Sequence, residues 1–191
     1  MTIMSWRDLI GNAFHDAKFY VPASAKEIGH AERELGVELP GELRQLLGET
    51  NGVSANYSAP LVWPVDEIIE QNRHFRSSRA FARLYAPFTD FLFFGAEGNG
   101  DLFAYRVAQG RIADTTIYEW DHETDTRLRI ASGLKDYVGR IASSIEQPAP
   151  APRSLLSAIV ARLRRVLGRW AAPRLFSMDR DLPGVAISPR R

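Results

Sequence analysis

In the first half of the chain, apolar positions recur at helical spacing. Trp6, Leu9, Ile10 and Phe14 lie at offsets of 3, 4 and 8, the repeat of one helix face. A second helix opens at Ser24, whose hydroxyl suits the free N–H groups of a first turn, with Glu27 placed to reach back to the cap. Ile28, Ala31 and Leu35 form its buried stripe and Gly36 ends it. Pro40 marks the start of a third helix with Leu43, Leu46 and Leu47 inside, closed by Asn51 and Gly52, both tolerant of a left-handed backbone. An extended piece around Leu61, Val62 and Trp63 leads to a helix from Asp66 to Phe75.

The period changes between Phe91 and Ile130. The runs Phe91–Phe94, Leu102–Val107, Ile112–Trp120 and Leu128–Ile130 are separated by turns at Asn99-Gly100, Gln109-Gly110 and Asp121–Asp125, which reads as an antiparallel meander. Ser132 is placed to cap a helix whose Leu134, Tyr137, Val138, Ile141 and Ile145 could cover that sheet. The predicted class is α+β: an antiparallel meander of about four to six strands flanked by helices, followed by a basic amphipathic helix. From Ser154 to Trp170, Leu155, Leu156, Ile159, Val160, Leu163, Val166, Leu167 and Trp170 fall within an arc of roughly 140°, with Arg162, Arg164, Arg165 and Arg169 outside it.

Charge sharpens this division. Past Gln147 the chain carries nine arginines against Asp179 and Asp181, so that tail is +7 and the remainder −6 of a net +1. The expected organisation is a body over residues 1–147, a Pro/Ala linker over 148–152 and a basic tail over 153–191. An acidic body attracts basic partners, whereas an arginine-rich tail suits lipid headgroups, nucleic acid or an acidic protein face. The absence of cysteine excludes disulfides, thiolate metal sites and a cysteine nucleophile. No apolar run reaches the length of a spanning helix and Arg7, Asp8 and His15 interrupt the first residues, so neither a secretion signal nor a span is expected. The expected location is cytoplasmic, with the tail able to reach the inner membrane face.

Three ordered stretches carry a resemblance. Ile28, Glu32, Leu35, Gly36, Leu39, Pro40, Leu43, Leu47, Asn51 and Gly52 are followed by Phe94, Gly95, Gly98, Asn99, Gly100, Asp101, Phe103 and Tyr105, and then by Tyr118, Trp120, Asp121, His122 and Glu123. Together they resemble the SUKH superfamily, the Smi/Knr-type proteins used in bacteria as immunity proteins against polymorphic toxins. The resemblance spans roughly residues 5–146 and leaves the tail outside. It implies a scaffold that neutralises a toxin by direct binding, with no cofactor and no catalytic residues. The toxin's identity does not transfer.

The residues themselves offer little catalytic chemistry. Asp121, His122, Glu123 and Asp125 supply metal-ligand types, but neighbours in one turn rarely converge on an ion, and neither EF-hand nor HExxH spacing is present. Glu97 to Asp101 is Gly-rich like a phosphate cradle, yet lacks its lysine and helix, and the two carboxylates would repel an anion. His15, His30, His74 and His122 are scattered. Candidate contacts for a basic toxin are therefore Glu97, Asp101, Trp120, Asp121, Glu123 and Asp125. In the tail, Arg162, Arg165, Arg169 and Trp170 are candidate contacts, and its helix is open to three readings: docking on the body or on a second copy, lying in an anionic membrane surface, or filling a partner's groove. Specific nucleic-acid binding is not expected, since Trp170 is the helix's only aromatic residue.

Overall fold

The computed structural model describes residues 4–55 and 59–146. In chain order they form α1 (Trp6–Ala13), β1 (Lys18–Phe19), α2 (Ala25–Leu35), α3 (Gly41–Glu49), β2 (Val53–Ala55), β3 (Ala59–Val62), α4 (Val65–Ser77), α5 (Phe81–Leu84), β4 (Phe91–Ala96), β5 (Leu102–Ala108), β6 (Arg111–Asp121), β7 (Thr126–Ala131) and α6 (Leu134–Glu146). The linker at residues 148–152 and the tail contacts Arg162, Arg165, Arg169 and Trp170 lie outside the described residues.

The class is α+β as expected, and β4-β5-β6-β7 is the expected meander. The extended piece at Leu61 and Val62 is β3, and it belongs to a separate three-stranded antiparallel sheet, β1-β2-β3, whose other two strands the sequence does not announce. Its strands are too short for any alternation to register in sequence, and their pairing depends on residues distant along the chain, such as Phe19 with Val53.

The helix ends show which local signals decide structure. Ser24 and Glu27 form the reciprocal capping box at α2, and Gly36 closes that helix at φ 68°. Elsewhere tertiary partners replace the expected local caps. Ser132 is not an acceptor for α6: its N–H and hydroxyl both donate to Asp136, and the free amide of Leu134 donates to Glu42 of α3 at 2.9 Å. Glu49, also from α3, accepts from the N–H of Trp6 at the start of α1. Asn51 does not end α3 with a left-handed backbone. That helix ends at Thr50 in extended conformation, Gly52 alone takes the positive φ of 90°, and the Asn51 side chain accepts from Val65 N–H to cap α4.

Register sorts the meander's side chains into two faces. One row runs Gly95, Phe103, Glu119, Leu128 and the next Leu92, Tyr105, Ile117, Ala131; the opposite face carries Ala96, Leu102, Trp120, Arg127 and Phe93, Ala104, Tyr118, Arg129. Tyr137 of α6 covers the first face, its ring 4.8 Å from Phe103 and its hydroxyl donating to Leu61 O at 3.0 Å. On the other face Phe75 of α4, Phe88 and Phe93 surround Trp120. The two sheets meet where Trp63 N–H donates to Phe94 O, and Gly95 is required there: a Cβ would collide with Leu61 O.

The two edges of the meander differ. Along β4, the buried Asn72 accepts from Phe93 N–H at 3.0 Å and donates to Phe93 O at 2.7 Å, while Arg76 donates to Phe91 O at 2.8 Å. With Trp63 on Phe94, that edge is closed. No strand lies beyond β7 among the described residues.

Candidate functional site

The Glu97–Asp101 turn joins β4 to β5 and stands beside the Asp121–Asp125 turn that joins β6 to β7. Glu97 N–H donates to Asp101 O at 2.8 Å, and Gly100 supplies the φ of 100° that closes the loop. Gly100 also makes room for His122, whose ring atoms would lie 3.3 to 3.5 Å from a Cβ at that position. Asp101 links the two turns. One oxygen accepts from His122 N–H at 3.0 Å and meets His122 Nδ1 at 2.8 Å; the other accepts from Asn99 Nδ2 at 2.8 Å.

Carboxylate oxygens of Glu97, Asp101 and Glu119 converge here, all within 4.8 Å of one another and half-buried. Burial, then the charge of Asp101, pushes the Glu97 carboxyl above its ordinary range. Burial pushes Glu119 up as well, with Glu97, Asp101 and Asp121 adding repulsion. No lysine or arginine pairs with Glu97 or Glu119 among the described residues. The arrangement is a place where a cationic group from outside would relieve repulsion already present in the fold.

The candidate residues separate into two sets. Glu97 and Asp101 lie in this convergence, with Asp121 alongside and Glu123 exposed at the turn. Asp121 also orders its own turn by accepting from the N–H groups of Glu123 and Thr124. Trp120 and Asp125 point elsewhere. Trp120 is 4% exposed, its ring edge-on to Tyr85 and Phe88 at 5.0 Å, so it packs inside rather than presenting a face to a partner. Asp125 is committed to the fold, accepting from Trp120 Nε1 at 2.8 Å, Arg127 at 3.1 Å and Ala86 N–H at 2.7 Å. Asp121, His122 and Asp125 of this turn thus serve different partners.

Glu119 escaped the reading of the sequence. The signal was alternation within β6, where Ile117 and Glu119 share a face and Tyr118 and Trp120 the other; only the register Phe103 to Glu119 brings the carboxylate to the first hairpin. A cleft of about 870 Å³ lies at the opposite end of the β5–β6 pair, lined by Glu32, Arg33, Glu38 and Arg111 among others. Its charges are of mixed sign, and Glu32 is occupied by Leu39 N–H and Arg44. Among the described residues no helix is long and apolar enough to cross a membrane.

No curated protein matches the chain closely enough to stand as a relative. The SUKH family model described as SMI1-KNR4 cell-wall matches residues 25–138, from the first turn of α2 into α6 and across both acidic turns. That family is associated with immunity proteins and is generally non-enzymatic. By this match over more than half its length, the chain belongs to the SUKH family.

Proposed function

We propose that this chain is a non-catalytic binding module that neutralises a bacterial toxin by direct contact, with its acidic hairpin end receiving a basic surface of that toxin. The observation that carries the reading is the convergence of Glu97, Asp101 and Glu119, with no lysine or arginine on Glu97 or Glu119 among the described residues, in a chain whose body is −6 and whose family is associated with immunity. Complementary charge accelerates encounter and makes association fall as salt rises. Glu97, Asp101, Glu119, Asp121 and Glu123 are the contacts proposed on this side. The test is co-expression with the toxin encoded beside its gene: cells survive and the two proteins co-purify. Unprotected cells together with no co-purification would remove the reading.

The tail's sequence supports a second, additive reading as a peripheral anchor, because at helical spacing its arginines would fall outside a continuous apolar arc, a pattern suited to an anionic bilayer surface. Retention of the full chain on anionic vesicles, lost on replacing Arg162, Arg165 and Arg169 with glutamine, is the expected result. Equal retention on zwitterionic vesicles would dismiss it.

A further inference from the structure

Among the described residues the meander has one closed edge and one bare edge, and the bare one adjoins the acidic row. β7 exposes Thr126, Leu128 and Arg129, and Leu128 is 59% exposed, an apolar side chain standing in water on an edge strand. Natural edges are usually covered, shortened, bulged or charged; β7 has an irregular register past Arg129 and carries Arg127 and Arg129, yet Leu128 at its middle stays uncovered. β4 shows that this fold does cover an edge, through Asn72, Arg76 and Trp63.

We infer that β7 is a strand-addition site, taking an extended segment of the partner as a fifth strand of the meander. This rests on the binding-module reading and specifies how the partner is held. Side-chain chemistry along β7 defines the segment. Leu128 lies directly opposite Glu119, so the two share a face and a row. A lysine or arginine placed opposite Leu128 would lay its methylenes on the leucine and direct its charge toward Glu119 and the carboxylates beyond. On the other face, exposed Arg129 favours an acidic neighbour. The occupant is therefore a strand alternating basic residues toward the acidic row with an acidic residue toward Arg129. Main-chain hydrogen bonds supply affinity and this alternation supplies selectivity. A second copy of the chain is a poorer occupant in the registers centred on the exposed residues. Antiparallel pairing centred on Leu128 sets Arg127 against Arg129 of the other strand, and pairing centred on Arg129 sets two Arg129 side chains together, both like-charge juxtapositions.

The experiment uses the full chain and the toxin encoded beside its gene, with amide hydrogen exchange read at residues 126–131 and affinity measured for three variants. Leu128→Asn removes an exposed side chain and is expected to keep the fold. Leu128→Pro and Arg129→Pro remove successive amides, which point to opposite sides of a strand, so one of them spares the β6 ladder. On complex formation, exchange at β7 should slow at least tenfold. Leu128→Asn should weaken association about fivefold, and whichever proline variant retains the parent circular dichroism should weaken it at least tenfold. A complex that forms with unchanged β7 exchange and parent-like affinity in the folded variants overturns strand addition and leaves the toxin-binding reading standing. No complex at all removes both. Protection of β7 in the free chain that rises with its own concentration assigns the edge to a second copy and overturns the inference.

Discussion

The two outer strands of the meander belong to one sheet and meet opposite fates. At β4 the free backbone groups are taken by α4: Asn72 presents its amide to both the N–H and the C=O of Phe93, acting as one residue of a missing strand, and Arg76 takes Phe91 O. At β7 the same kinds of groups face outward beside Leu128 and Arg129, with no strand against them among the described residues. The difference teaches where this fold spends its polar side chains. A buried amide that satisfies two backbone groups is needed where water is excluded, and nothing of the sort is needed where water, or a partner, can supply the bonds. If β7 takes a partner strand as proposed, stability and recognition fall on opposite edges of the same sheet.

The comparison breaks most directly at Asn72. Asn72→Leu fits a buried position but strands Phe93 N–H and C=O without partners, and two unsatisfied buried groups cost about 3 kcal/mol together. Urea unfolding should show that loss; a change below about 1 kcal/mol would mean that the closed edge is not closed by this residue. Next comes Gly95→Ala. The added methyl would meet the Leu61 carbonyl, a backbone atom that cannot swing aside, and the expected loss is about 2 kcal/mol with a separation of the two sheets visible as faster exchange at Trp63.

Some of this was legible in the chain and some was not, for physical reasons. Ser24, Glu27 and Gly36 act within one turn of themselves, so their roles could be read directly. The aromatic runs at Phe91–Phe94 and Leu102–Tyr105 have enough length for strand period to show. Asn72 left a signal too, as the polar residue on the stripe that Val65, Ile68 and Phe75 define in α4, but its partner Phe93 is twenty-one residues away and only topology supplies it. The same holds for Asn51, which caps α4 rather than ending α3, and for Glu42 at the start of α6. At the site, Glu97 and Asp101 were visible as a Gly-rich acidic turn, whereas Glu119 needed the register of β6. Trp120 misled because an aromatic beside an acidic turn resembles a contact residue; the alternation that turns its neighbour Glu119 to the other face is what buries it.

Arg76 tests how much of the closed edge is charge. Its guanidinium is held by the carbonyls of Phe91 and Leu35, it meets no carboxylate among the described residues, and burial lowers its pKa from the ordinary value. Arg76→Leu loses those hydrogen bonds but also removes a desolvated charge, so the two effects offset and the expected loss is about 1 kcal/mol. Arg76→Gln should recover part of it by keeping a donor near Phe91 O. A loss equal to that of Asn72→Leu would show that the edge depends on the arginine as strongly as on the amide.

The smallest effect lies beside the bare edge and is read through pH. Glu97 and Glu119 have carboxyls raised above their ordinary value of 4.5, so the folded chain holds protons to higher pH than the unfolded chain. The stability this protonation contributes is fully present below about 4.5 and is lost as pH rises through the raised folded values. Asp136 has the opposite sense: Ser132 N–H, with Arg140 and the Ser132 hydroxyl, pulls it down to about 2, so its contribution is present above the ordinary value of 3.8 and disappears on further acidification. Glu119→Gln should therefore stabilise the free chain at pH 7 by about 0.5 kcal/mol or less after solvent screening, with the gain shrinking toward pH 4. The same substitution should weaken association with a basic partner and flatten its salt dependence, since the carboxylate that strains the free chain is the one a cation would relieve. Parallel urea titrations and salt-dependent affinities of the parent and Glu119→Gln proteins separate these outcomes. A variant that is both less stable at pH 7 and unaltered in binding would make Glu119 a structural residue and detach the acidic row from the open side of the sheet.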